Sequence, residues 1–386
     1  MTFVTPIYLD YAATTPLDPS VAECMREVQA TAYFNPASNH IAGRQSARIV
    51  AQAAAKLGAL LNVDAARLVW TSGATESNNL AILGAAKQRA HRGRHLVTMR
   101  TEHKAVVDVF RALEKDGYEV TWLSPGADGQ LDLGSFEAAL REDTQLVSIM
   151  QINNETGIVQ DIEAIARICR SRNILFHVDA AQAVGKVPVD VSALQVDMMS
   201  MTAHKFYGPK GIGALYVAKG TALEPQMFGG GQQKRMRPGT LPVDLIAGLG
   251  KAAAVAAQRI DDDLAALTQL KERLWSGIRS IEGVRLNGHE KGSYPGILNV
   301  SVADIEGESL LLALEPLCVA TGSACNSQSQ EPSYVLRALG LSDQEAQSAI
   351  RFSLGRQSSE ADIDVAISAY RSAVVKLRSL APREVA

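Results

Sequence analysis

From about residue 44 onward the chain alternates stretches of helical period with short, almost wholly apolar runs, and few folds accommodate that order. Residues 44–61 are Ala-rich with helical spacing, 68–71 predict a strand, 76–89 a helix and 95–99 a strand. The alternation continues through a helix near 103–115, strands at 118–123 and 145–150, a helix over 161–171, and strands at 174–178 and 197–201. Apolar runs of this kind mark strands buried on both faces, which predicts an α/β fold with a mainly parallel sheet and helices on both faces. Ligands of such sheets bind beyond the carboxyl ends of the strands, so residues just after each strand carry the most weight.

The pattern changes near Pro242. A long Ala-rich and Leu-rich helical stretch over 244–282 is followed by a strand at 296–302, a helix at 307–314, a strand at 349–354 and a last helix at 360–380, which predicts a smaller C-terminal α+β domain. A length of 386 residues suits two domains. Hydrophobic residues at 47% and charged residues at 20% exclude a disordered or low-complexity chain. With 38 Lys and Arg against 41 Asp and Glu, there is no electrostatic footprint for nucleic acid or an anionic membrane. Residues 1–10 lack the basic cluster and apolar stretch of a signal peptide, and apolar runs elsewhere are broken by charge before they reach spanning length. Four cysteines without a CxxC pair suit a reducing compartment, so a cytoplasmic protein is expected.

Three segments could carry chemistry. In Ser200-Met201-Thr202-Ala203-His204-Lys205 a lysine follows a predicted strand, where an amine can attack a carbonyl if its neighbours lower its pKa. Isolated lysines are mostly solvated, but this one has company. Asp179, 26 positions earlier, closes the apolar run of 174–178. An acid there can pair with a protonated pyridine nitrogen, as in pyridoxal phosphate (PLP) chemistry, or serve as a helix N-cap. The run Trp70-Thr71-Ser72-Gly73-Ala74-Thr75-Glu76 reads as strand, small-residue turn and helix start, a place for phosphate that is compatible with a capping box.

These features, in this order and with Thr101-Glu102-His103-Lys104 between them, resemble the class V aminotransferase group of fold-type-I PLP enzymes. Leu9-Asp10-Tyr11-Ala12-Ala13-Thr14-Thr15-Pro16, Asn35-Pro36-Ala37-Ser38, Asn153-Asn154-Glu155-Thr156-Gly157, Gly229-Gly230-Gly231-Gln232, Arg237-Pro238-Gly239-Thr240 and Gly322-Ser323-Ala324-Cys325 stand in the order seen in cysteine desulfurases and cover almost the whole chain. The resemblance implies that Lys205 carries the cofactor covalently, Asp179 meets its ring nitrogen, and Gln182 and Asn154 bond near its phenolic oxygen. His103 would stack on the ring and handle protons. Ala74, Thr75, Thr202 and His204 would hold the phosphate, with Thr240 lent by the other subunit of a homodimer. Asn35, Asn154 and Arg351 would bind substrate. No metal is called for. The implied division is a large PLP-binding domain over 16–255 and a small domain over 256–386 together with 1–15.

Cys325 decides the reaction. It lies in a run of small and polar residues, 320–330, that reads as a mobile loop, whereas Cys318, in apolar surroundings, reads as buried, and Cys24 and Cys169 as helix-packing residues. Arg351 matches the family's carboxylate-binding arginine, with Arg356 as the competing candidate and a surface ion pair as the bland reading of either. The implied reaction converts L-cysteine to L-alanine: Lys205 removes the α-proton, the Cys325 thiolate attacks the substrate sulfur, and the resulting persulfide passes to an acceptor protein. The alternative is a selenocysteine lyase or cysteine sulfinate desulfinase, which depends less on the cysteine. A non-catalytic sulfur-relay protein is disfavoured by Lys205 and Asp179.

Two departures stand out. Pro238 replaces the family's usual serine, and Thr202 stands where serine is frequent. The chain stops at Ala386, where housekeeping members extend further with a tail that docks the iron–sulfur scaffold protein. Iron–sulfur assembly, tRNA thiolation and DNA sulfur modification are all left open as destinations of the sulfur.

Overall fold

The computed structural model describes residues 6–126, 128–321 and 331–380. Its centre is a seven-stranded sheet in the order Leu68–Thr71, Gly213–Val217, Met198–Thr202, Leu175–Asp179, Thr144–Met150, His95–Met99, Glu119–Leu123. All pairings are parallel except those of Gly213–Val217, which runs antiparallel to both neighbours. The five residues of His95–Met99, of Leu175–Asp179 and of Met198–Thr202 are all buried, as unalternated apolar strands require. Successive side chains serve opposite cores. Val97, Val147, Phe176 and Met199 point to one, and Leu96, Leu146, Leu175 and Met198 to the other.

Helices cover both faces. Lys104–Lys115 lays Val106, Val109, Phe110 and Leu113 into the second core, joined there by Leu80, Ile82 and Ala85 of Ala74–Gln88. On the other face Ile162–Ser171, capped by Asp161 through a bond from the Ala164 N–H (3.0 Å), adds Ile165 and Cys169.

A helix of 36 residues, Val243–Ile278, follows. Its first half packs on Pro19–Thr31 and Ile41–Leu61, and it also meets Glu360–Leu380. Beyond it lies a four-stranded antiparallel sheet in the order Ala320–Thr321, Ile350–Ser353, Ile297–Val302, Val284–Leu286. The N-terminal strand Ile7–Tyr8 pairs in parallel with Leu317–Cys318. One core continues from the large sheet through Leu249 and Leu274 of the long helix to Val300, Phe352 and Tyr370.

Of the cysteines expected to be buried, only Cys169 is fully so; Cys24 and Cys318 are half-buried. Cys318 lies at the end of the short pairing with Tyr8, and Cys24 sits at the edge of a small cluster with Val28, Val243 and Ala247. Neither place encloses a side chain on all sides. Cys325 lies outside the described residues. Among the described residues, no helix is long and apolar enough to cross a membrane.

Candidate active site

The site forms at the carboxyl ends of the strands. After Thr71, Ser72 and Gly73 turn the chain into the helix Ala74–Gln88. Gly213 lets that turn lie against the sheet, since a Cβ there would stand 2.5 Å from the Met201 carbonyl oxygen and 2.7 Å from the Gly73 Cα. Among the described residues no side chain caps this helix start. Glu76 accepts from the Ser72 N–H (2.7 Å) but is also held by Arg237 through Nε (2.8 Å) and Nη2 (3.2 Å). Burial alone would raise the Glu76 pKa, yet the Arg237 and Ser72 bonds bring it below its ordinary value. Its charge is thereby balanced, and the uncapped helix end keeps its attraction for an anion.

Asp179 ends its strand with both carboxylate oxygens engaged: Oδ2 accepts from Asn78 Nδ2 (2.7 Å) and Oδ1 from the Ala181 N–H (2.9 Å). Asn78, which the sequence reading missed, lies one helical turn beyond Ala74 and Thr75, and that spacing was the available signal. Lys205 follows the strand Met198–Thr202 in a tight 3-10 turn, and its Nζ donates to the Ala12 and Ala13 carbonyls, the latter at 2.7 Å. The N-terminal segment therefore supplies backbone acceptors to the site, a role that side-chain chemistry could not reveal.

His103 caps the helix Lys104–Lys115, with Nδ1 accepting from the Ala105 N–H (3.1 Å). That bond assigns the remaining proton of a neutral ring to Nε2. Burial lowers the His103 pKa; Asp179 opposes the shift and Lys205 adds to it. His204 is driven down to about 4, by burial first and then by Lys205, Lys210 and Lys186, so it is a neutral donor or acceptor at pH 7.

Arg351 reaches in from the small sheet. It is 4% exposed and donates to Asp10 Oδ1 (2.7 Å) and the Asn154 carbonyl (2.9 Å), while its buried Nε has no hydrogen-bond partner among the described residues. Arg356, the competing arginine, is committed elsewhere: it bonds Asp263 (2.8 and 2.9 Å) and Asp18 (3.3 Å) and lies 4.0 Å over the Tyr207 ring. Two buried acids missed from sequence support the site. Glu102 accepts from the Met150 N–H (2.7 Å), and burial raises its pKa strongly. Glu155 accepts from the Ser333 hydroxyl (2.5 Å); burial lifts it to about 7 against the pull of Ser333 and Arg351.

Ala74, Thr75, His103, Asn154, Asp179, Gln182, Thr202, His204, Lys205 and Arg351 all line one cavity of about 260 Å³, together with Asn78, Ala12 and Ala13. Asn35 and Thr240 are exposed and lie outside it. Cys325 is not among the described residues.

An amine and an acid at adjacent strand ends beside an uncapped helix start define a PLP site of fold type I. The chain matches the family model "Aminotransferase class-V" over residues 7–365 and belongs to that family. Within it, the chain belongs to the cysteine desulfurases, which are PLP-dependent enzymes. It is 52% identical over 382 residues, 98% of this chain and 95% of the other, to the cysteine desulfurase IscS of Serratia proteamaculans. A solved NifS-like protein, 33% identical, superposes with a TM-score of 0.91 over 97% of this chain and all of that one. SspA in complex with cysteine, 37% identical, gives 0.82 over 92% of this chain and all of that one.

The residues present fit the cofactor. The helix start and neutral His204 suit its phosphate, Asp179 its ring nitrogen and Lys205 its aldehyde, while Asn78 Oδ1 and Arg351 Nε are buried polar atoms without a partner among the described residues. Asp179→Ala is expected to retain part of the cofactor through the phosphate contacts yet slow α-proton exchange by more than about tenfold, equivalent to about 1.36 kcal/mol of barrier. Exchange into deuterated water, followed by NMR, measures this; an unchanged rate removes Asp179 from the role.

Proposed function

We propose that this chain releases the sulfur of L-cysteine as a persulfide on Cys325, leaving L-alanine, and passes it to an acceptor protein of iron–sulfur cluster assembly or of a thiolation pathway. The observation that carries this reading is the convergence of Lys205, Asp179, His103 and Arg351 on one cavity. Bound there by Lys205, Asp179, Thr75, Thr202 and His204, PLP supplies an electron sink that makes the substrate's α-proton and β-substituent labile.

The protein residues then have distinct tasks. Arg351 grips the substrate carboxylate with the planar fork of its guanidinium, exchanging part of its bond to Asp10 for the ligand. The Lys205 amine takes the α-proton. His103, with Nδ1 engaged by the Ala105 N–H, offers an Nε2 proton at the cavity wall. Cys325, as thiolate, attacks the substrate sulfur: an S–S bond forms, the Cβ–S bond breaks, and the carbon gains the proton that completes alanine. Thiol plus cysteine thus balances persulfide plus alanine, with no external oxidant or reductant.

Several further assignments belong to the same proposal. Asn35 contributes to substrate binding. Exposed Thr240, lent across a homodimer, completes the neighbouring subunit's phosphate site. The enzyme works in the cytoplasm. The chain divides into 16–255 and 256–386 with 1–15; the pairing of Ile7–Tyr8 with Leu317–Cys318 supports grouping the N-terminus with the small domain. The relatives named IscS favour iron–sulfur assembly as the destination of the sulfur.

Arg351→Lys tests the substrate assignment. Losing the bidentate fork is expected to raise KM for L-cysteine by about 10- to 100-fold, the worth of a charge-assisted bond, at unchanged cofactor content. An unaltered KM assigns the carboxylate to another group.

A further inference from the structure

The turn after Asp179 contains a lysine that the reaction does not use. Residues 180–187 form successive turns closed by bonds from the Val184 N–H to the Ala180 carbonyl and from the Val187 N–H to the Ala183 carbonyl. Gly185, at φ +75°, lets the chain pass Phe206, whose side chain would stand 2.6 Å from an added Cβ. This geometry places Lys186 one turn beyond Gln182, and its Nζ donates to Gln182 Oε1 at 2.5 Å. On the other side of the same amide, Gln182 Nε2 donates to the Ala12 carbonyl at 2.8 Å, the carbonyl that Lys205 also contacts.

Lys186 is costly where it stands. It is half-buried and bonded to no carboxylate among the described residues, with its ammonium 5.6 Å from the Tyr294 ring centroid. Burial, and then the like charges of Lys205 and Arg351, push its pKa well below that of an exposed lysine. No carboxylate is among the groups that shift its charge, and Asp10 and Asp179 are engaged elsewhere, with Arg351 and with Asn78 and the Ala181 N–H. A long apolar residue would fill the space without that cost.

We propose that Lys186 is a positioning residue that fixes the side-chain amide of Gln182, holding Oε1 away from the cavity so that Nε2 is presented as a donor to the cofactor's phenolic oxygen. An amide has one accepting and one donating end, and its orientation follows from its partners. A lysine N–H at Oε1 and a carbonyl at Nε2 both select the same orientation. Removing the lysine leaves Oε1 buried without a donor, and Gln182 then gains by turning toward another partner. The inference rests on the reading that Gln182 faces that phenolic oxygen.

The test uses the holoenzyme and reads the pH midpoint of its visible absorption band, which follows proton binding at the cofactor. A donor aimed at the phenolic oxygen favours its anion and lowers the midpoint. Lys186→Met is expected to raise the midpoint by about 1 pH unit, a tenfold change in proton affinity. Lys186→Arg, which keeps a donor and a charge, is expected to hold it within about 0.3 unit. Losing a nearby positive charge would by itself raise the midpoint, so the same substitution is repeated in a Gln182→Ala background, where about 0.3 unit or less is expected. An equal shift in both backgrounds makes Lys186 only a charge and overturns the proposal. So does a Gln182→Ala shift that Lys186→Met does not reproduce in the wild-type background. If Gln182→Ala itself leaves the midpoint unmoved, the reading of Gln182 fails and the proposal falls with it. Should Lys186→Met not fold, the Lys186→Arg and Lys186→Gln pair carries the comparison, with Gln182 orientation lost only in the variant that cannot reach Oε1.

Discussion

Lys205→Ala abolishes turnover and lowers α-proton exchange by on the order of 10³-fold or more, within the range of a positioned general base. The variant still takes up PLP, because the uncapped helix start, Thr202, His204 and Asp179 are untouched. Borohydride, which in the native enzyme fixes the cofactor to the Lys205 peptide, fixes none in the variant. The structure gives the reason for so large an effect. Lys205 is the lysine at the end of the strand Met198–Thr202, and its amine lies against the Ala12 and Ala13 carbonyls inside the cavity. Lys186 is turned to Gln182 and cannot substitute for it. Retained exchange in Lys205→Ala, or borohydride labelling of another lysine, contradicts the assignment.

Much of this was legible in the sequence for a simple physical reason. Strands buried on both faces must be apolar throughout, and the runs at 95–99 and 174–178 betray them without any alternation. The strand Gly213–Val217 was not legible. It follows the turn-rich Gly208-Pro209-Lys210-Gly211 and runs antiparallel with no crossover helix, so it breaks the rhythm that revealed the others. The helix Pro19–Thr31 escaped for another reason: only Val21 and Val28 are fully buried, which is too thin a stripe for a period to emerge.

At the site, Lys205 and Asp179 stood out because chemistry needs those residue types at strand ends. Asn78 and Lys186 did not, because a polar residue one turn from another is ordinary on any helix or turn. Their roles depend on what lies across the cavity. Arg351 was favoured over Arg356 only by the resemblance, since two arginines five positions apart, one within and one just beyond the run at 349–354, look alike in residue type. The structure separates them by depth: Arg351 sits within the buried strand Ile350–Ser353, whereas Arg356 lies past its end and clamps Asp263 and Asp18.

Cys325→Ala is the second large effect. Alanine production from L-cysteine is expected to fall by on the order of 10³-fold or more, the scale on which removal of a nucleophile acts. The cofactor spectrum and α-proton exchange remain, because Lys205, Asp179 and Arg351 do not depend on the thiol. This separation of two chemistries distinguishes a desulfurase from a selenocysteine lyase or sulfinate desulfinase on the same scaffold, for which loss of the cysteine leaves product release largely intact.

The central claim is that sulfur leaves the substrate by way of Cys325. Its most direct test is a mass spectrum of the native enzyme after a single turnover with L-cysteine labelled in its sulfur, taken under conditions that preserve persulfides. One labelled sulfur on the Cys325 peptide, matched by one alanine released, is the predicted result. Labelled sulfur on Cys318, or alanine formed with sulfide set free and no label on the protein, contradicts the account.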